Sequence, residues 1–468
     1  MRNQDQLFDD NEILAVVERY NDMIVKNARY FFDVHEFESI IEYYANEYNL
    51  NKAAEAVNFA IQQHPTSTNI KLKKAQILID NGQVKAGLKL LEEIEGIEHY
   101  NNELYILKGN AHAINGDLDS ALKNYGYALS ITFEDKAEVI YNISVSLQHL
   151  GFFTEAASYL ENALKIEPDN TTYLYDLAYC YEQLEDFNQC ILMYERYLDT
   201  DPFSEHVWHS LGMIFGRVEQ YEKAIEAFEF ALALDDEYAS AHFNLANTYA
   251  NKGDYLKAIS GYNEFLKMEP DNAFANFYLG ECYENLGNLN AALSFYNKTI
   301  KQDSNFADAW YAAGNIHKKY SRFDEAEKQL KVAIKLDKSN PDYWFALAEL
   351  FKATGNFDQA RNAFEKVLEQ DSSDEEAWLL IAETYFEQEN AHNAIRVIQN
   401  GIEQCELNAK LYYRLAVYYF TMNKKNTGLK CFEKALTMDF EHHYTVLDTY
   451  PVLFNNRGIK RLIKKFNV

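Results

Sequence analysis

The sequence predicts an all-α fold of the α-solenoid kind, a row of antiparallel helix pairs, and three observations predict it. A 34-residue period runs through most of the chain, and small residues recur at two fixed points of that period. Helix breakers are scarce, with 18 Gly and 6 Pro in 468 residues, which leaves no Gly/Ser- or Pro-rich linker between domains. With Ala239 as the first residue of a repeat, starts fall at Val34, Thr68, Asn102, Ala137, Thr171, Glu205, Ala239, Ala273, Ala307, Pro341, Glu375 and Ala409. Only the step from Asn102 to Ala137 measures 35, so twelve repeats fill residues 34–442.

Residues 1–33 precede the repeats. The stretch NEILAVVERYNDMIVKNARYFF has helical period, and Asp33 with Glu36 forms a capping-box pattern, so this segment predicts a capping helix for the first repeat. Within each repeat, position 8 is small, with Gly109, Gly212, Gly280 and Gly314 among Ala and Ser, and only Ile41 departs. Position 20 is small in every copy, from Ala53 to Gly428. Two helix backbones can approach closely there, and a large residue at position 24, such as Tyr125, Tyr262, Tyr296 or Phe364, fills the space beside them. The turns NKGDY, NLGNL and ATGNF supply a Gly to stop the first helix. The second helix is expected to end near EPDN at 167–170 and again at 269–272, because Pro is favoured just beyond a helix.

Residues 443–468 differ from the rest. His442 and His443 are expected to lie in a turn, and Pro451 interrupts the helix that follows. Beyond it Arg457, Lys460, Arg461, Lys464 and Lys465 occur without one acid, while Ile459, Leu462, Ile463 and Phe466 share a helical face. This basic amphipathic helix is expected to cap the last repeat and turn its cations toward the acidic body. Peripheral contact with an anionic membrane is the alternative, and so short a helix is a marginal anchor alone.

All four tryptophans, Trp208, Trp310, Trp344 and Trp378, fall at position 4, and Tyr249, Tyr283, Tyr385 and Tyr419 fall at position 11. With the small residues, this pattern resembles the tetratricopeptide repeat (TPR) family, whose repeat begins W-x-x-L-G-x-x-Y. The early repeats depart from it, with Lys74 and Lys108 where Leu is usual. The resemblance implies a right-handed superhelix whose concave groove is lined by positions 2, 5, 9, 12 and 13 and takes a peptide or protein partner. The family members that bind chaperone tails hold a terminal carboxylate with a set of Lys, Asn and Arg residues over three repeats. Lys410 and Arg414 match its last third, but Phe345, Glu349 and Leu380 stand at earlier points, so that clamp is incomplete.

Composition narrows the function. A net charge of −28 would repel a phosphate backbone and no basic stripe interrupts the repeats, which disfavours RNA or DNA as a partner. The phosphate-loop, dinucleotide, nucleophile-elbow and H-E-x-x-H motifs are missing, so no catalytic residue and no enzyme activity are expected. Five cysteines without a C-x-x-C pair fit neither a disulfide framework nor zinc, and neither metal nor cofactor is expected. The N-terminus lacks a signal-peptide pattern and no run of about 18 apolar residues occurs, which makes a soluble cytoplasmic protein the expectation.

The candidate site is the groove. Position 5 carries Tyr141, Tyr175, His209, Phe243, Phe277, Tyr311 and Phe345 in seven successive repeats, then Leu379 and Tyr413. Such a ladder predicts a stacking surface for an extended or helical peptide, with the competing reading that these rings pack between neighbouring first helices. Asn110, Asn247 and Asn315 at position 9 offer donors to a peptide backbone. Charged residues at the groove positions number fourteen acidic against five basic, which favours a basic or neutral partner. The function these features predict is a protein-interaction scaffold or adaptor. The alternative is a structural arm of a larger complex that binds through its convex face or its ends.

Overall fold

The computed structural model describes residues 10–405, 408–451, 453 and 456–466. Parts of both expected end caps, residues 1–9 and 452, 454, 455, 467 and 468, lie outside the described residues. The described residues form helices joined by short turns, with no β-strand among them. They make two compact units, one ending at Gln220 and the other beginning at Tyr221. In each unit a helix packs on its neighbours in sequence.

Helices open at the first residue of eleven repeats, and the one after the 35-residue step opens at Lys136, one ahead of Ala137. Their starts are set by side chains that satisfy otherwise unpaired N–H groups. Asp33 accepts from the Glu36 N–H at 2.8 Å while the Glu36 carboxylate accepts from the Asp33 N–H at 3.0 Å, which completes the capping box. The side chains of Asn170, Asn272 and Asn408 accept from first-turn N–H groups of the helices that follow them, without the return bond. The tryptophans at position 4 add a second anchor. The indole N–H groups of Trp208, Trp310, Trp344 and Trp378 donate to the carbonyls of Pro202, Ser304, Lys338 and Ser372 at 2.9–3.0 Å, tying each first helix to the loop before it.

The turn inside the repeat is more uniform than its sequence. Position 15 is left-handed in all twelve copies. Six carry Gly, among them Gly253, Gly287 and Gly355 with φ of 86°, 77° and 75°, but Tyr48, Glu185, Glu219, Ser321, Glu389 and Asn423 adopt φ of 54–59° at the same point. At Gly253 the next N–H, of Asp254, reaches back to the Tyr249 carbonyl at 2.8 Å, the Schellman closure that a left-handed residue permits. Because every repeat makes this turn, six side chains are held where an L-residue is disfavoured by about 1–2 kcal/mol.

The core follows positions 8, 20 and 24. All twelve residues at position 24 are buried, from Val57 through Tyr125, Tyr262 and Tyr296 to Phe432. A Cβ placed on Gly109 or Gly280 would collide with the ring of Tyr125 or Tyr296, so the absent side chain at position 8 is the space the ring occupies. The irregular Lys108 is accommodated by charge: its ammonium meets Glu95 of the preceding helix at 2.7 Å, and Lys108 holds the Glu95 carboxyl below its usual range.

Helix Asp10–Val25 stands ahead of the first repeat and packs on Val34–Asn46, burying Val17, Tyr20 and Met23. At the other end His442 and His443 do not form a turn but open helix His442–Thr449, with His443 buried and its ring 4.5 Å from Phe440. That helix stops two residues before Pro451. Helix Arg457–Phe466 then lies on Lys425–Met438 with Ile459 wholly buried, while Lys465 pairs with Glu433 at 2.8 Å. The apolar face of the basic helix is thus used for packing, and its cations stay in solvent.

The left-handed turns give a paired prediction. Gly287 has open space where a Cβ would stand, so Gly287→Ala is expected to lower stability by about 1 kcal/mol through backbone conformation alone. Glu389→Gly is expected to raise it by a few tenths, since relief of the left-handed residue exceeds the added chain entropy of Gly. Urea midpoints of the two variants check both signs.

Candidate partner groove

In a helix, residues at positions 2, 5, 9 and 12 fall on one face. In the unit that begins at Tyr221, position 5 is Phe243, Phe277, Tyr311 and Phe345, and each of these rings is half-buried. Phe243 lies 5.8 Å from Tyr262 of its own repeat and 5.9 Å from Tyr278 of the next, centroid to centroid. Phe277 lies 5.6 Å from Tyr296 and 4.9 Å from Phe306. Tyr311 and Phe345 meet Tyr343 and Phe364 at 5.0 and 5.4 Å. The ladder is therefore both packing and surface: each ring packs on an aromatic of its own repeat or of the next, Phe243 and Tyr311 reaching across the boundary, and each keeps part of its surface exposed.

Three depressions follow one another along this face. The first, about 370 Å³, is lined by Asn247, Tyr262, Tyr278, Glu281, Cys282 and Asn285 among others. The second, about 490 Å³, shares Glu281 and Asn285 and adds Phe277, Tyr296, Asp308 and Tyr311. The third, about 300 Å³, shares Tyr311 and Asn315 with the second and adds Lys318, Phe345 and Glu349. Shared walls make them a continuous groove over the repeats that start at Ala239, Ala273, Ala307 and Pro341.

Hydrogen bonds set the orientation of its polar groups. The Tyr262 hydroxyl donates to Asn247 Oδ1 at 2.6 Å, and Tyr125 donates to Asn110 Oδ1 at 2.7 Å in the other unit. The buried phenol at position 24 takes the carbonyl end of the amide at position 9, leaving its N–H₂ as the end a partner can use. Asn315 is bonded to Tyr311, whose phenol burial pushes to a higher pKa. Carboxylates dominate the second depression. Glu284 accepts from the Tyr296 hydroxyl at 2.9 Å and pairs with Lys319 at 2.8 Å, and Asp308 accepts from the Tyr343 hydroxyl. Glu281 is pushed above the usual carboxylate range, first by burial and then by the charges of Glu284 and Asp308. Burial also pushes the Cys282 thiol up to about 11, so it stays protonated at neutral pH.

The other expected contact residues lie elsewhere. Tyr141, Tyr175 and His209 belong to the unit that ends at Gln220. Tyr141 is half-buried with its ring 4.9 Å from Tyr173, Tyr175 is half-buried, and His209 is 8% exposed. Tyr413 is a correction. It has no exposed surface, its hydroxyl donates to the Asp439 carbonyl at 2.7 Å, and its ring packs on Phe432 and His442. Residues of the same, last repeat cover it, so Tyr413 is a core residue and offers a partner nothing. Lys410 and Arg414 are likewise engaged, Lys410 with Glu375 and Arg414 with Glu383 at 3.7 Å and the ring of Tyr450 at 5.5 Å. Tyr262 and Tyr296, expected only to fill the space beside the helix backbones, also line the depressions, as does Tyr278, which the sequence pattern does not single out.

These features define a helical-repeat scaffold whose first helices present an open, aromatic-floored face. A tetratricopeptide repeat model matches residues 147–214 and another matches 409–442, and the model of the Cilia and flagella-associated protein 70 C-terminal domain matches 197–399. The chain is a tetratricopeptide repeat protein. No curated protein matches it. Among solved structures it is similar to a TPR repeat-containing protein of Cytophaga hutchinsonii, at 17% identity over 52% of this chain and 99% of that one, with a TM-score of 0.45. It is also similar to the APC/C hetero-tetramer Cut9-Hcn1, at 14% identity over 87% and 92% with a TM-score of 0.40. A thermophilic TPR protein of Thermus thermophilus is 25% identical over 39% and 100%, with a TM-score of 0.32.

The bond between positions 24 and 9 yields a prediction. Asn247→Ala leaves the hydroxyl of Tyr262, itself 1% exposed, without its acceptor and is expected to cost about 1–3 kcal/mol. Adding Tyr262→Phe should restore about 1 kcal/mol of that loss. A double-mutant cycle from thermal melts measures the coupling.

Proposed function

We propose that this TPR protein is an adaptor that holds an extended or helical peptide of a protein partner along the groove of the unit starting at Tyr221. The observation that carries the reading is the continuity of three depressions floored by Phe277, Tyr311 and Phe345 and edged by Asn247 and Asn315. Half-buried rings are already ordered by packing, so a partner that stacks on them loses little side-chain freedom on their part. The excess of carboxylates supports a basic or neutral partner, and a net charge of −28 supports a protein rather than a nucleic acid. In this reading residues 1–33 and 443–468 are end caps around the repeats of 34–442, and the protein acts in the cytoplasm, in accord with five free cysteines. TPR proteins are in general scaffolds rather than enzymes, and no catalytic residue, metal or cofactor is part of the proposal. Among the described residues no helix is long and apolar enough to cross a membrane.

A second reading has one specific observation in its favour. In the unit ending at Gln220, a largely apolar cleft of about 360 Å³ is lined by Leu164 and by Met193 and Tyr197 of two successive second helices, and by Leu174 and Leu177 of the first helix that lies between them in the chain. A structural arm would use such a surface instead of the groove. The two readings are separated by affinity capture from native lysate with the wild type and with a Phe243→Leu, Phe277→Leu, Tyr311→Leu variant, which keeps volume in the packed half of each site while removing the rings. The adaptor reading expects a partner held by the wild type and lost by the variant, with the variant's helical circular dichroism unchanged. Equal capture by both proteins would assign binding to the other surface.

A further inference from the structure

We propose that the junction of the first two depressions, at Glu281, receives the guanidinium of an arginine side chain from the peptide partner. This rests on the groove reading and names the chemistry of one subsite within it. Glu281 is a wall of both depressions, with Tyr262 and Tyr278 on one side and Phe277, Tyr296 and Tyr311 on the other. Its neighbours are satisfied: Glu284 by Tyr296 and Lys319, Asp308 by Tyr343. No ion pair or hydrogen bond to the Glu281 carboxylate occurs among the described residues, although it is half-buried between aromatic rings and two further carboxylates.

An anion in such a place is unfavourable for the free protein. The titratable groups around it are Glu284, Asp308, Tyr262, Tyr278, Tyr296 and Cys282, none of them a cation, and the two lysines that line the groove beside Glu284, Lys319 and Lys318, are committed to Glu284 and Glu349. What relieves it is a cation from outside. The rings favour a planar one that can stack on a face while its N–H groups meet the carboxylate, which is a property of guanidinium more than of ammonium. A divalent cation fits less well, since no set of three His, Cys, Asp or Glu donors converges on a common point among the described residues.

The pH dependence has a definite sign. A carboxyl whose folded-state pKa is raised destabilises the fold above that pKa and is without effect well below the unfolded value of about 4.3. Glu281→Gln should therefore melt at a higher temperature than wild type at pH 7, with the difference closing as pH falls toward that value. The same substitution should weaken arginine binding. Gain of stability with loss of binding is the mark of a ligand site, and a residue that served only the fold would show neither.

The test uses the full chain and the peptide acetyl-Ala-Gly-Arg-Gly-Ala-amide, with Lys and Gln versions at the centre, by isothermal titration. The arginine peptide is expected to bind saturably near about 1 mM, as a single side chain would. Glu281→Gln should bind it at least about tenfold more weakly, the lysine peptide should be at least about threefold weaker, and the glutamine peptide should not bind. Equal binding by Glu281→Gln, equal binding of the glutamine peptide, no saturable binding of the arginine peptide, or a lower melting temperature for Glu281→Gln would each overturn the proposal. The failure of the groove reading looks different. If the lysate partner is lost by the triple Leu variant but kept by Glu281→Gln, the groove stands and the arginine subsite falls. If the partner is kept by the triple Leu variant as well, the groove itself falls.

Discussion

The close approach of two helix backbones at positions 8 and 20 is the constraint on which the rest of this structure depends. Where position 8 lacks a side chain, as at Gly109 and Gly280, a tyrosine ring at position 24 lies directly against the backbone. That ring must be large to fill the gap, and being tyrosine it brings a hydroxyl into the core. The hydroxyl needs an acceptor, and at Tyr125 and Tyr262 the amide at position 9 supplies it. Position 9 is on the open face of the helix. A packing requirement in the interior thus fixes the orientation of a polar group on the surface, four residues along from the aromatic at position 5.

The same economy explains why the groove floor is rigid. Phe243 and Phe277 touch the position-24 ring of their own repeat and an aromatic of the next stretch of chain, so they belong to the core of the stack as well as to its face. Rings shared in this way cannot be removed without cost to folding, and they do not need to be ordered when something binds. The readings of position 5 as packing and as contact surface are two sides of one ring. Tyr413 marks where this ceases to hold, because Phe432, Asp439 and His442 at the end of its own repeat enclose it.

Irregularities in the period are absorbed at a helix start and by charge. The extra residue of the 35-residue step is added to the helix that follows. The loop at 132–135 keeps the four residues of 167–170 and 269–272, with Asp135 left-handed and Phe133 92% exposed, and helix Lys136–His149 opens one residue early and has 14 residues where Asn102–Ile114 and Thr171–Gln183 have 13. Lys108 replaces a leucine without disturbing the pair because Glu95 stands opposite it. A solenoid tolerates such changes since each repeat contacts only its neighbours, so a local solution is sufficient.

How much of this was legible in the chain divides along physical lines. Spacing alone determined the helix pairs, their starting residues, the Asp33–Glu36 cap and the Gly turns, because those depend on contacts within one or two repeats and recur twelve times. Spacing also placed Asn247, Phe277, Tyr311, Asn315 and Phe345 on one face. It could not show that Glu185, Glu219 and Glu389 would take the left-handed turn, since nothing in a glutamate prefers it and the packing of the pair imposes it. It could not show that Tyr413 would be covered, that His442 would open a helix, or that Glu281 alone among its neighbours would lack a partner. Those outcomes depend on which side chain from an adjacent helix or from the end of the chain arrives at a given point, and only the tertiary structure decides that.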